Sequence, residues 1–232
     1  MDQIALVTGA NRGLGLGVVK KLLQLGYTVI LTSRDQVKGQ EAIEELDIDK
    51  NKLYFQQLDV SSSESINRCF DWVNTKFGKL DVLVNNAGIN YDTWQNAMNA
   101  DLQECHKTMM VNLFGPWEMA QKFYPLMEKN GFGRIVNVSS GAGSLTNEEI
   151  GTPGYSISKA ALNMLTIKLA GQAKGSGVLI NAVSPGWVRT DMGGEDADRS
   201  IAEGAESIVW AVTIPDDGPH GGFFKDGKRL NW

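Results

Sequence analysis

Apolar and polar positions along the chain follow two alternating rhythms. Short runs rich in β-branched residues, each about a strand long, are separated by longer stretches whose apolar residues recur at helical spacing. "IALVTG" precedes a helical stretch from Leu14 to Leu25, "TVILTS" one from Val37 to Leu46, and "LYFQQLDV" one from Ile66 to Phe77. "LDVLVNNAG" then leads to Leu102 to Met127, "RIVNVSS" to Tyr155 to Lys174, and "VLINAVSPG" to Ile201 to Val212, before a last short "GGFF". Strand, helix, strand at this rhythm predicts an α/β fold: a doubly wound parallel sheet of about seven strands with helices on both faces. Near-continuous apolar strands such as Val82 to Val84 suit a sheet buried on both sides.

Three irregular stretches, at about 89–101, 141–153 and 186–200, each follow a strand. They therefore belong at the carboxyl edge of the sheet, where open α/β sheets bind ligands. With 232 residues, 42% of them hydrophobic, and no linker or repeat, residues 1–232 read as a single domain. The net charge of -5, with cations scattered along the chain, gives no footprint for nucleic acid or an anionic membrane. The N-terminal apolar run is too short for a secretion signal, and no run reaches the length of a membrane span. Cys69 and Cys105 lie far apart, which argues against a disulfide framework or a zinc site and for a reducing, cytoplasmic setting. No metal site is expected.

Candidate chemistry starts at the first strand-to-helix junction. "LVTGANRGLGLG" puts Gly9, Gly13 and Gly15 there, with Asn11, Arg12 and Leu14 between them. Glycines at such a turn allow a pyrophosphate to approach the backbone at a helix N-terminus. The second strand ends in Ser33 and Arg34, where many NAD-preferring proteins carry an acid for the ribose hydroxyls. Arg12 and Arg34 together suit a 2'-phosphate, which guanidinium groups bind through charge-assisted pairs, so the expected cofactor is NADP(H). Asp35 reads as a helix N-cap.

In "GTPGYSISKAAL" Tyr155 and Lys159 stand four apart behind Thr152 and Pro153, which read as N-cap and first helical residue. The spacing alone is weak. Its position in a first helical turn adds the helix dipole to the lysine charge, and both lower a tyrosine pKa towards the range of a working acid.

The glycine spacing, "NNAG" at Asn85 to Gly88 and the Tyr155/Lys159 pair together resemble the short-chain dehydrogenase/reductase family across essentially the whole chain, and within it "ILTSRDQVKGQEAIEEL" and the tail "GPHGGFFKDGKRLNW" are most similar to the carbonyl reductase branch. That resemblance implies a Rossmann-type sheet and hydride transfer between a nicotinamide and a carbonyl. It assigns Tyr155 as proton donor, Lys159 to the nicotinamide ribose, Ser140 rather than Ser139 as the hydroxyl on the carbonyl oxygen, and Asn112 to a proton relay. For the cofactor it implies Asp59, with Val60 beside it, at the adenine, and Asn86, Ala87 and Gly88 at the adenosine ribose. Pro185, Gly186, Val188 and Thr190 fall to the nicotinamide.

Tyr91, Trp94, Gly141 to Leu145, Ile150, Trp187 and Met192 are candidate walls for an apolar or aromatic carbonyl compound. Arg189 and Arg199 are the basic residues the third loop offers to an acidic group. Some monomeric members of the branch insert a long segment before the tyrosine, whereas only fourteen residues separate Ser140 from Tyr155 here. The face carrying Ala160, Ala161, Met164 and Ile167 is thus left to form a homodimer or homotetramer. A 3-oxoacyl thioester reductase and a non-catalytic NADP(H)-binding sensor or scaffold are the alternatives.

Overall fold

Each β-branched run forms a strand because its residues have apolar neighbours on both faces of one sheet. The structure is a computed structural model describing residues 3–46, 50–146 and 150–232. Eight strands stand in the order β3-β2-β1-β4-β5-β6-β7-β8. They are β1 (Ile4–Val7), β2 (Thr28–Ser33), β3 (Leu53–Gln57), β4 (Val82–Asn85), β5 (Gly133–Val138), β6 (Val178–Val183), β7 (Phe223–Lys225) and β8 (Lys228–Arg229). All neighbours are parallel except β7 and β8, which form an antiparallel hairpin. That hairpin adds one strand to the seven expected, in a tail whose "KDGKR" has no apolar run to announce it.

Period-two alternation splits the core. Val7, Leu31, Val84, Val136 and Val183 pack under α1 (Gly13–Gln24), α2 (Gln36–Glu44) and α7 (Ile201–Val212). Leu6, Ile30, Leu83, Ile135 and Ile180 face α3 (Ser63–Phe77), α5 (Gly115–Lys129) and α6 (Pro153–Gln172). Strand order reverses between β1 and β4, so a crevice opens above their carboxyl ends, the position where such sheets bind ligands.

The expected single helix from Leu102 to Met127 is instead two. α4 (Leu102–Met109) passes through a wide π turn at Met110–Phe114 into α5. Pro116 supplies the reason: it has no N–H to give the Asn112 carbonyl four residues back, so the ladder widens and Gly115 N bonds Met110 O. Among the described residues no helix is long and apolar enough to cross a membrane.

Candidate active site

The glycine turn is built against the "NNAG" segment. Thr8 Oγ1 accepts from the backbone N–H groups of Asn86 and Ala87, each at 2.9 Å. Asn86 Nδ2 donates back to Thr8 O at 2.8 Å and Gly9 O at 3.1 Å. Gly9 has φ +61, and a Cβ there would lie 2.9 Å from Ala87 Cα. At Gly15 a Cβ would meet Gly9 O and Asn86 Nδ2, both at 2.6 Å. These glycines therefore let β1, β4 and the start of α1 close on one another. No side chain caps α1, so its first-turn N–H groups stay available to an anion.

A cavity of about 940 Å³ runs from this turn along the carboxyl edge of the sheet. Its lining includes Gly9, Asn11, Arg12, Gly13, Leu14 and Gly15, then Ser33 and Arg34, Asp59 and Val60, Asn86 to Gly88, and Pro185, Gly186, Val188 and Thr190. Asp35 caps α2, accepting from Val37 N at 3.0 Å and Lys38 N at 3.2 Å. That cap engages the carboxylate with the first turn of α2, and Asp35 lines the cavity together with Arg34 and Lys38. Lys38 is a third cation which the sequence reading passed over; it lies one helical turn beyond Arg34. Arg12 pairs with Asp191 of the third loop across the rim, both well exposed. The fit to a dinucleotide with a 2'-phosphate is therefore good: a close-packed glycine turn at a helix N-terminus that no side chain caps, followed by a basic end.

At the other end stand Ser140, Tyr155 and Lys159, all lining the same cavity. The two serines divide as the strand alternates. Ser139 Oγ turns inward to Asn163 Oδ1 at 2.6 Å, whereas Ser140 Oγ accepts from Ala142 N at 3.2 Å and shares the cavity wall with Tyr155. Lys159 Nζ donates to Val138 O at 2.8 Å and lies 5.5 Å from the Tyr155 ring centroid. A Cβ on Gly143 would come within 2.6 Å of the Lys159 backbone, so the loop after β5 sits tight on α6 and fixes Ser140 relative to the pair.

Two expectations need correction here. Thr152 and Pro153 do stand at the N-cap and first helical positions of α6, but Thr152 has φ +52 and its side chain makes no cap bond. The cap comes from Asp92 in the loop after β4, fully buried, whose oxygens accept from Gly154 N at 2.9 Å and Tyr155 N at 3.1 Å. A cap from sixty residues upstream leaves no trace in local spacing. Nor is Tyr155 made more acidic: burial pushes it up to about 12, Tyr91 adding to the rise and the Ser140 hydroxyl opposing it. Burial likewise pushes Lys159 down to about 8. Desolvation of two enclosed groups outweighs the helix dipole, whose end Asp92 already covers.

Asn112 does not line the cavity. Its Oδ1 accepts from Ile89 N at 2.9 Å, and its Nδ2 donates to Ile89 O at 3.1 Å and Ser158 Oγ at 3.0 Å. The side chain thus ties the π turn to the segment after "NNAG" and to α6. Of the candidate walls, Tyr91, Gly141, Ala142, Trp187 and Met192 line the cavity. Tyr91 packs edge-on against Tyr155, centroids 5.3 Å apart. Trp94, Leu145 and Ile150 face outward, and 147–149 lie outside the described residues. Arg189 and Arg199 are also turned away, bonded to Ala197 O and to Asp226 respectively. Lys225 and Leu230, from the β7–β8 tail, close this end and were not anticipated.

The sequence pattern of the short chain dehydrogenase family matches residues 3–200. Carbonyl reductase 1 (NADPH) of Bos taurus is 34% identical over 279 residues, covering 99% of this chain and 98% of its own length, and that of Homo sapiens matches equally. The structure of an NADPH-bound carbonyl reductase from chicken fatty liver superposes with TM-score 0.89 at 30% identity, covering 100% of this chain and 99% of that one. The carbonyl reductase Sniffer of D. melanogaster gives TM-score 0.91 at 31% identity, with both chains covered completely.

Proposed function

This chain belongs to the short-chain dehydrogenase family, and on that premise we propose that it reduces a ketone or aldehyde carbonyl to an alcohol with NADPH. It is an NADP-dependent oxidoreductase of the carbonyl reductase-like branch. The observation that carries the reading is the convergence, in one cavity, of a glycine cradle with a basic end and the Ser140, Tyr155 and Lys159 side chains.

NADPH, when bound, supplies the hydride that the carbonyl carbon accepts. Gly9, Asn11, Gly13, Leu14 and Gly15 would hold its pyrophosphate against the open end of α1. Ser33, Arg34 and Arg12 would take the 2'-phosphate, Lys38 adding a third cation. Asp59 and Val60 would meet the adenine, Asn86, Ala87 and Gly88 the adenosine ribose, and Pro185, Gly186, Val188 and Thr190 the nicotinamide. Tyr155 gives its phenolic proton to the carbonyl oxygen, and a pKa pushed up to about 12 keeps that proton in place throughout the neutral range. Ser140 donates to the same oxygen and steadies the charge that develops on it. Lys159, charged below about pH 8, would hold the nicotinamide ribose and return a proton to Tyr155. Asn112 positions this group by anchoring Ile89 and Ser158.

Residues 1–232 act as one dinucleotide-binding and catalytic domain, with substrate loops at about 89–101, 141–153 and 186–200. A reducing, cytoplasmic setting is supported by two free cysteines, one of them buried. A homodimer or homotetramer is supported by the exposed apolar residues Ile157 and Met164 on α6 and Phe114 and Trp117 beside it. The net charge of -5 leaves no case for a nucleic-acid or membrane partner.

The test is loss of NADPH absorbance with a panel of aliphatic, aromatic, steroidal, quinone and acyl-thioester carbonyls. Turnover of simple ketones or aldehydes is expected. Tight NADPH binding with no turnover of any member would replace this reading with that of a sensor.

A further inference from the structure

Beyond Ser140, Tyr155 and Lys159, the substrate end of the cavity is walled by apolar surface from Tyr91, Ala142, Trp187, Met192 and Leu230, and by the side chain of Lys225. Its place follows from the sheet. Phe224 pairs with Val183 and packs on Trp210 of α7, so alternation turns Lys225 to the opposite face, which α6 covers with Tyr155 and Lys159. Ser184 N bonds Phe224 O and Ser139 N bonds Val183 O, which brings Lys225 level with the Ser139–Ser140 end of β5. Two strand spacings, about 10 Å, separate their backbones. A Cβ on Gly186 would lie 3.2 Å from Lys225 Cε, so the stem runs along the loop assigned to the nicotinamide.

The neighbouring charges are already committed. Arg199 takes both oxygens of Asp226, Arg189 bonds Ala197 O, and Lys159 Nζ is on Val138 O. The Lys225 ammonium makes no hydrogen bond or ion pair among the described residues; its one charged neighbour, Asp226, which it helps to hold below the usual carboxylate range, spends both oxygens on Arg199. A cation with no direct partner at the rim of an apolar pocket is matched by a single negative charge on the substrate.

We propose that Lys225 selects carbonyl compounds that carry a carboxylate across an apolar spacer from the reacting carbonyl. This rests on the carbonyl reductase reading of the same cavity. Arg189 and Arg199, the cations that the sequence offers for this task, are consumed within the third loop and its contact with the tail.

Two probes of nearly equal shape test it: 4-formylbenzoate and its neutral methyl ester. With NADPH, the wild-type kcat/KM should favour the acid by about tenfold or more, the range of a hydrogen bond to a charged group. The preference should shrink as salt is raised. In Lys225→Met the acid-to-ester ratio should fall to about one, and Lys225→Arg should restore most of it. Calorimetry of both probes with the NADP+-saturated enzyme, in which no reduction occurs, gives a second readout of the same ratio. If wild-type enzyme reduces acid and ester equally well, the anion site is wrong and the reductase reading stands. If neither is reduced yet the acid still binds about tenfold tighter, the anion site stands and the reductase reading fails. A preference that survives Lys225→Met also overturns the assignment.

Discussion

Tyr155 and Lys159 are four apart in sequence, yet what sets their chemistry is enclosure. Both are deeply buried, and burial disfavours whichever form carries charge, so the phenol moves up and the ammonium moves down. For a reductase this ordering is useful. The acid keeps its proton at every pH a cell offers, and the group that titrates near neutrality is Lys159. Reduction should therefore run at a constant kcat/KM below about pH 7 and fall about tenfold per pH unit above about 8, as Lys159 loses its proton. A pH series with saturating NADPH checks this. An inflection placed near 10 instead would mean that Lys159 is better solvated than its burial implies.

At the scale of elements, the active site depends on joints that local patterns do not announce. Strands were readable because a sheet buried on both sides demands apolar runs, and the glycine turn because only glycine fits against Ala87 and Asn86. The break at Met110–Phe114 was hidden in a continuous helical rhythm, although Pro116 was its visible cause. The cap of α6 was not readable at all, since Asp92 reaches Gly154 and Tyr155 only after the sheet has folded. Asp92→Ala leaves two buried N–H groups without partners and should cost about 1–3 kcal/mol of stability. Asp92→Asn, which keeps one acceptor oxygen, should cost less. Urea midpoints of the wild type and both variants decide this, and variant midpoints equal to the wild type's would show that the cap contributes nothing.

Across the whole molecule, the cofactor half of the cleft was more legible than the substrate half. Turn, arginines and "NNAG" are contiguous motifs, whereas the far wall is assembled from Tyr91, Ala142, Trp187, Lys225 and Leu230, five separate places in the chain. Trp94 and Ile150 sit beside true wall residues in sequence and still point outward, because an irregular loop has no fixed period to read. The uncovered faces of α5 and α6 give a prediction at this scale: light scattering should return a mass two or four times the 25.3 kDa chain, and a value near 25.3 kDa in dilute solution would contradict it. The central claim is that one cleft holds NADPH with its basic end and spends it with its tyrosine end, so the two duties should separate. Measured side by side, Tyr155→Phe should lose about a hundredfold to ten-thousandfold in carbonyl-dependent NADPH oxidation while binding NADPH nearly as tightly as the wild type. Retention of most of the activity by Tyr155→Phe would contradict the account.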